Sequence, residues 1–128
     1  MPNLLFIHLP DVDTAGHLTG WMSSGQLWAL SLTDGMVGEI VNQLQASGYF
    51  EKTLLIITSD HGGSGTSHGT TSPEDITIPW LAVGPGVPQG IILERQIFVY
   101  DTAATAAQAL KLTIPESWDG RPVLEILN

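Results

Sequence analysis

The first apolar run, residues 4–9, reads Leu-Leu-Phe-Ile-His-Leu and stops at Pro10. A run that short, closed by proline, predicts a buried strand and not a helix. Residues 11–20 are mostly small or polar and read as a loop. From Ser23 onward Leu27, Leu30, Val37, Ile40, Val41 and Leu44 recur at spacings near three and four, which predicts an amphipathic helix closing at Gly48, weakened by Gly35 and Gly38. Residues 54–57, between Thr53 and Thr58, form the clearest strand and run into Ser59-Asp60-His61-Gly62-Gly63. The Gly-, Ser- and Thr-rich stretch 62–75 predicts no packed element, and 78–83 resumes a strand pattern that Gly84-Pro85-Gly86 breaks. Residues 97–100 read as extended, Asp101 as the N-cap of the Ala-rich helix 102–110, and the tail 114–128 carries a weaker pattern.

Strands separated by a long helix, each ending in a polar loop, predict an α/β fold. The expected form is a mainly parallel sheet with flanking helices, right-handed crossovers and functional residues at the carboxyl edge. With 128 residues, no internal repeat and no linker, a single domain over 1–128 is expected. Composition adds exclusions. The absence of cysteine rules out a disulfide scaffold, a thiolate metal site and a cysteine nucleophile, so any metal must be held by nitrogen and oxygen. A net charge of −9, with only Lys52, Arg95, Lys111 and Arg121 as fixed cations, argues against a nucleic acid polymer as partner. No apolar run reaches the roughly 20 residues of a membrane span, and Met1-Pro2-Asn3 lacks a basic leader region, so no membrane partner is expected.

Three of the four histidines sit beside carboxylates or glycines: Asp13-Thr-Ala-Gly-His17, Asp60-His61-Gly62 and His68-Gly69. A carboxylate and an imidazole four residues apart, in a loop or on one helix face, converge on one cation, and Ala15 and Gly16 leave room between them. Asp60 and His61 can address one site only where the strand has ended, and Gly62-Gly63 permits that turn. Taken singly, each element is what turns and caps ordinarily show; together at strand ends they favour metal binding by Asp13, His17, Asp60, His61 and His68. Mixed imidazole and carboxylate donors suit zinc, with manganese or iron as alternatives and calcium less suited. Two clusters suggest two metals, held about 3.5–4 Å apart to clamp an in-line displacement at phosphorus. His8, inside the first apolar run, reads as a core or rim histidine, and Asp11, six residues from His17, is second choice to Asp13.

In the order and wording of these motifs the chain resembles the alkaline phosphatase superfamily, in particular its type I phosphodiesterase and nucleotide pyrophosphatase branch. The resemblance runs nearly end to end: residues 6–21, Thr58-Ser-Asp-His-Gly-Gly63, His68-Gly, residues 78–87 and Asp101-Thr-Ala-Ala-Thr105. It implies a partial alkaline-phosphatase-like fold, with Asp13, His17 and His68 on one metal and Asp60 and His61 on the second. Asp11-Val-Asp13 is similar to the family's acidic loop, with Val12 where proline is common.

In that family the second metal also takes a carboxylate from the first strand, and a Ser or Thr nucleophile follows it, both upstream of the motif that Asp13 opens. The chain is therefore expected to correspond to the C-terminal part of a catalytic domain, without the nucleophile region. Ser59, Ser64, Thr66, Ser67 and Thr70 are hydroxyls near the site, but they read as parts of a connecting loop. The expected function is metal-dependent hydrolysis of small phosphate esters, of phosphodiesterase or phosphatase type, weak or absent in this chain alone. Its Asp60–His61 site should bind more weakly, and uncovered apolar faces should lead to a homo-oligomer or be covered by the N-terminal segment. The alternatives are a non-catalytic relic acting as an interaction module and, among enzymes, a sulfatase-like hydrolase.

Overall fold

A computed structural model describes residues 2–127, in two compact units. Of the described residues, one comprises 6–50 and 60–78, the other 2–5, 51–59 and 79–127.

The first unit is helical. Residues expected as a loop form α1, Asp11–Thr19, because Asp11 and Asp13 sit in its first turn, where carboxylates complement the helix dipole, and His17 sits in its last. The same chemistry that looked like turn residues therefore serves a helix N-terminus. α1 ends at Gly20, whose N–H donates to the Gly16 carbonyl at 2.8 Å. α2, Ser24–Ala46, starts where the sequence places it, with Ser23 Oγ accepting the Gln26 N–H at 3.2 Å. Gln26 is buried and holds the corner, its Oε1 accepting the Met22 N–H and its Nε2 donating to the Val12 carbonyl. The expected apolar face is covered only in part: Leu44 is buried, whereas Leu27 and Leu30 are exposed. α3, Pro73–Ile76, lies in the stretch expected to hold no packed element.

The second unit carries strands β1, Leu55–Thr58, and β2, Trp80–Val83, paired antiparallel from Leu55 opposite Val83 to Thr58 opposite Trp80. The mainly parallel sheet expected from element order is not what the described residues form. Their two-stranded sheet turns back on itself, because no long crossover helix separates β1 from β2. Residues 4–9 and 97–100, expected as strands, adopt no strand; Leu4, Leu5, Phe6 and His8 are exposed, and an apolar run without a pairing partner cannot complete a ladder. Helix α4, Asp101–Ala109, begins one residue before the expected start, with Tyr100 in the capping position. Ala104, Ala107, Val123 and Ile126 make a small apolar core around it, and Thr105 Oγ1 accepts the Val123 N–H while donating to the Asp101 carbonyl.

Asp101 is the polar hub of that core. Burial pushes its carboxyl group up, but the Arg121 and Phe98 N–H donors, at 2.8 and 3.0 Å, and the Arg95 guanidinium outweigh burial and hold it below the ordinary carboxylate value. Among the described residues no helix is long and apolar enough to cross a membrane.

Candidate metal centre

The site lies within the helical unit. The i, i+4 spacing of Asp13 and His17 on α1 sets both side chains on one face, with His17 Nε2 3.5 Å from Asp13 Oδ1. His68 Nε2 stands 3.7 Å from the same oxygen and His61 Nε2 3.8 Å. Asp13, His17 and His68 each offer a ligand atom within 4.8 Å of the others. His61 Nε2 is also 3.7 Å from Asp60 Oδ2, so this imidazole sits between two carboxylates. All five residues expected to ligate thus lie in one neighbourhood, with Asp60 the most exposed at 74%.

Hydrogen bonding fixes which nitrogen faces inward. His17 Nδ1 meets the Thr66 carbonyl at 2.9 Å and His61 Nδ1 the Gly62 carbonyl at 2.8 Å. A carbonyl only accepts, so each Nδ1 must carry the proton, and a neutral ring then turns a lone pair on Nε2 toward Asp13. Asp13 Oδ1 is itself buried and has no hydrogen-bond partner. Lone pairs converging on an unpartnered carboxylate oxygen repel, and leaving such an acceptor unsatisfied costs about 1–3 kcal/mol. A cation removes both penalties. Donor atoms around a tetrahedral zinc stand about 3.3 Å apart, given bonds of about 2.0–2.1 Å. The observed 3.5–3.8 Å separations approach that spacing, so the residues fit a divalent metal.

The surroundings hold the rings in place. The His61 and His68 rings stack with centroids 3.6 Å apart, and Trp21 packs edge-on against His17 and His68 at 5.1 and 5.8 Å. The Trp21 main-chain N–H donates to the Gly65 carbonyl at 2.7 Å, tying the end of α1 to the His68 loop. After His61 the backbone passes so close that a Cβ at Gly62 would strike the Glu74 carbonyl and one at Gly63 the Trp21 indole. Residue pattern alone assigns no role in the site to Trp21 or Asp75. Asp75 is 3% exposed, and the Thr70 hydroxyl, then the Thr70 N–H, hold its carboxyl below the ordinary value, against the opposing effect of burial. Ser72-Pro73-Glu74-Asp75, a capping residue, an N1 proline and acidic first-turn positions, was the available signal for α3.

The family signature described as type I phosphodiesterase / nucleotide pyrophosphatase matches residues 1–79. The chain belongs to that family. It lies within the alkaline phosphatase superfamily, whose members are metal-dependent and include the sulfatases and phosphopentomutases it also matches. It is 28% identical over 115 residues to the extracellular sulfatase SULF-1 homolog of Drosophila melanogaster, covering 85% of this chain and 10% of that protein. To arylsulfatase K of Mus musculus it is 27% identical over 101 residues, covering 75% and 18%. To phosphopentomutase of Methylobacterium radiotolerans it is 36% identical over 118 residues, covering 91% and 26%. The chain therefore spans a minor part of each of these relatives. No solved structure matches it.

Proposed function

We propose that this chain supplies the divalent-metal centre of a metal-dependent hydrolase of phosphate esters, of phosphodiesterase or phosphatase type, with zinc as the cation. The observation that carries the reading is the buried, unpartnered Asp13 Oδ1 faced by three imidazole nitrogens at 3.5–3.8 Å. Asp13, His17 and His68 form the stronger site. His61 and the exposed Asp60 form a weaker one beside it, because two protein ligands hold zinc less firmly than three. A bound divalent cation polarises a phosphoryl oxygen and acidifies a water molecule. The chain's own part is to present Nε2 lone pairs, oriented by the Thr66 and Gly62 carbonyls, around the Asp13 carboxylate. The loop hydroxyls have other partners: Ser64 and Thr70 donate to Asp75 and Ser67 to the His68 carbonyl. In this reading these three hydroxyls order the loop and are assigned no catalytic role.

Zinc content and turnover of p-nitrophenyl phosphate and bis(p-nitrophenyl) phosphate, measured for wild type and His17→Ala, test the reading. The expected result is bound zinc in the wild type, and in the variant an affinity loss beyond the roughly 10–100-fold that follows removal of an outer-shell partner. Equal zinc content and equal turnover would overturn it.

The sulfatase names among the relatives favour one other reading, hydrolysis of sulfate esters. Calcium sites are built from oxygen ligands, whereas this cluster offers three imidazoles, which supports the phosphate reading. Faster turnover of p-nitrophenyl sulfate than of either phosphate would reverse that order. A chain that binds no zinc and turns over no ester would be an interaction module.

A further inference from the structure

His61 and His68 lie on a stretch of glycine, serine and threonine, a composition with high conformational freedom and no apolar side chains to pack. Their rings nevertheless stack in a defined orientation, 15° between planes. Something must order the backbone on both sides of each ring.

The bonds that do so converge on one turn of helix. Asp75 Oδ2 accepts from the Thr70 N–H at 2.8 Å and the Thr70 hydroxyl at 2.7 Å, and Oδ1 accepts from the Ser64 hydroxyl at 3.2 Å. Ser64 and Thr70 bracket His68. The Asp75 carbonyl accepts the Gly62 N–H at 2.8 Å and the adjacent Glu74 carbonyl accepts the Gly63 N–H at 2.9 Å, immediately after His61. Two consecutive residues thus clamp the chain next to both imidazoles, and the absence of a Cβ at Gly62 permits the approach.

Resting on the metal-centre reading above, we infer that Asp75 is the positioning residue of the site: its carboxylate and carbonyl set the His68 loop and the backbone after His61 in register. The Asp75 carboxylate bonds to Ser64 and Thr70, and through them it acts on the loop. A carboxylate suits the task because it only accepts, and all three side-chain contacts come from donors. Asparagine keeps one oxygen for both Thr70 donors and can turn its amide toward the Ser64 oxygen, so Asp75→Asn should recover most of the function that alanine loses.

The test measures zinc affinity by chelator competition, the visible spectrum of the cobalt(II)-loaded chain and the melting temperature of the metal-free chain, for wild type, Asp75→Ala, Asp75→Asn and His17→Ala. Asp75→Ala is expected to weaken zinc about 10–100-fold and to alter the cobalt bands while the metal-free chain stays folded at the assay temperature. Asp75→Asn should return most of the affinity and the wild-type bands. If His17→Ala abolishes binding while Asp75→Ala keeps wild-type affinity and spectrum, the positioning role is overturned and the metal centre stands. If Asp75→Asn is as damaged as alanine, charge and not hydrogen-bond geometry is acting, and the role is likewise overturned. If His17→Ala binds zinc as wild type does, the metal-centre reading itself falls. Should Asp75→Ala not fold, Thr70→Val takes its place, with a severalfold loss expected and wild-type affinity as the overturning result.

Discussion

Each unit of the chain buries one carboxylate, and the two use it for opposite ends. Asp101 lies among Ala104, Thr105, Val123 and Ile126, receives two backbone N–H groups and pairs with Arg95. Asp75 lies in a unit whose buried apolar side chains are only Ala29 and Leu44 among the described residues, and its partners are the hydroxyls and amide of one loop. The first carboxylate completes a hydrophobic core; the second substitutes for one. Stability in one unit is therefore expected to follow packing, and in the other the integrity of a polar network.

Asp101→Ala is expected to have the largest effect. It removes the acceptor of the part-buried Phe98 and Arg121 N–H groups, with about 1–3 kcal/mol as the upper bound for each where water cannot replace it, and unfolding by urea should show the loss. Zinc affinity, measured under conditions where the variant is folded, should be unchanged. Gly63→Ala is next. Its methyl group must displace the Trp21 indole, an overpacking change of about 1–3 kcal/mol, and here zinc affinity should fall together with stability.

Acid acts on both carboxylates. Each is held below its ordinary value in the folded chain, so its contribution is fully present above about pH 4 and drains away as pH falls through the folded value. Unfolding free energy should stay flat down to about pH 4 and then drop, with a shallower drop in Asp101→Asn. The smallest effect is expected from Glu125→Gln, which removes a half-exposed partner of Arg95 at 3.2 Å and should change stability by about 0.2–1 kcal/mol.

Local signals carried much of this architecture. Ser23 announces α2, the Thr-flanked run 54–57 announces β1 and the Ala-rich segment announces α4, because caps, strand formers and helix formers act within a few residues. The runs at 4–9 and 97–100 misled because a strand exists only through a partner, which pattern does not reveal. The same limit hid the antiparallel pairing. At the candidate site, the spacing of Asp13 to His17 and the Asp60-His61-Gly62-Gly63 turn stood out, since the donors and the close approach are written in residue type. Asp75 and Trp21 did not, because the stretch 62–75 read as a loop without a packed element and a tryptophan's ring contacts are not written in local pattern.

The donor atoms come from segments far apart along the chain: His17 meets the Thr66 carbonyl across 49 positions. An ion held there would act as a removable cross-link, closing a long loop that the unfolded polypeptide must otherwise bring together by chance. Free cation at 100 times its dissociation constant would add about 2.7 kcal/mol to the folded state, so a chelator would loosen this unit without severing any covalent bond.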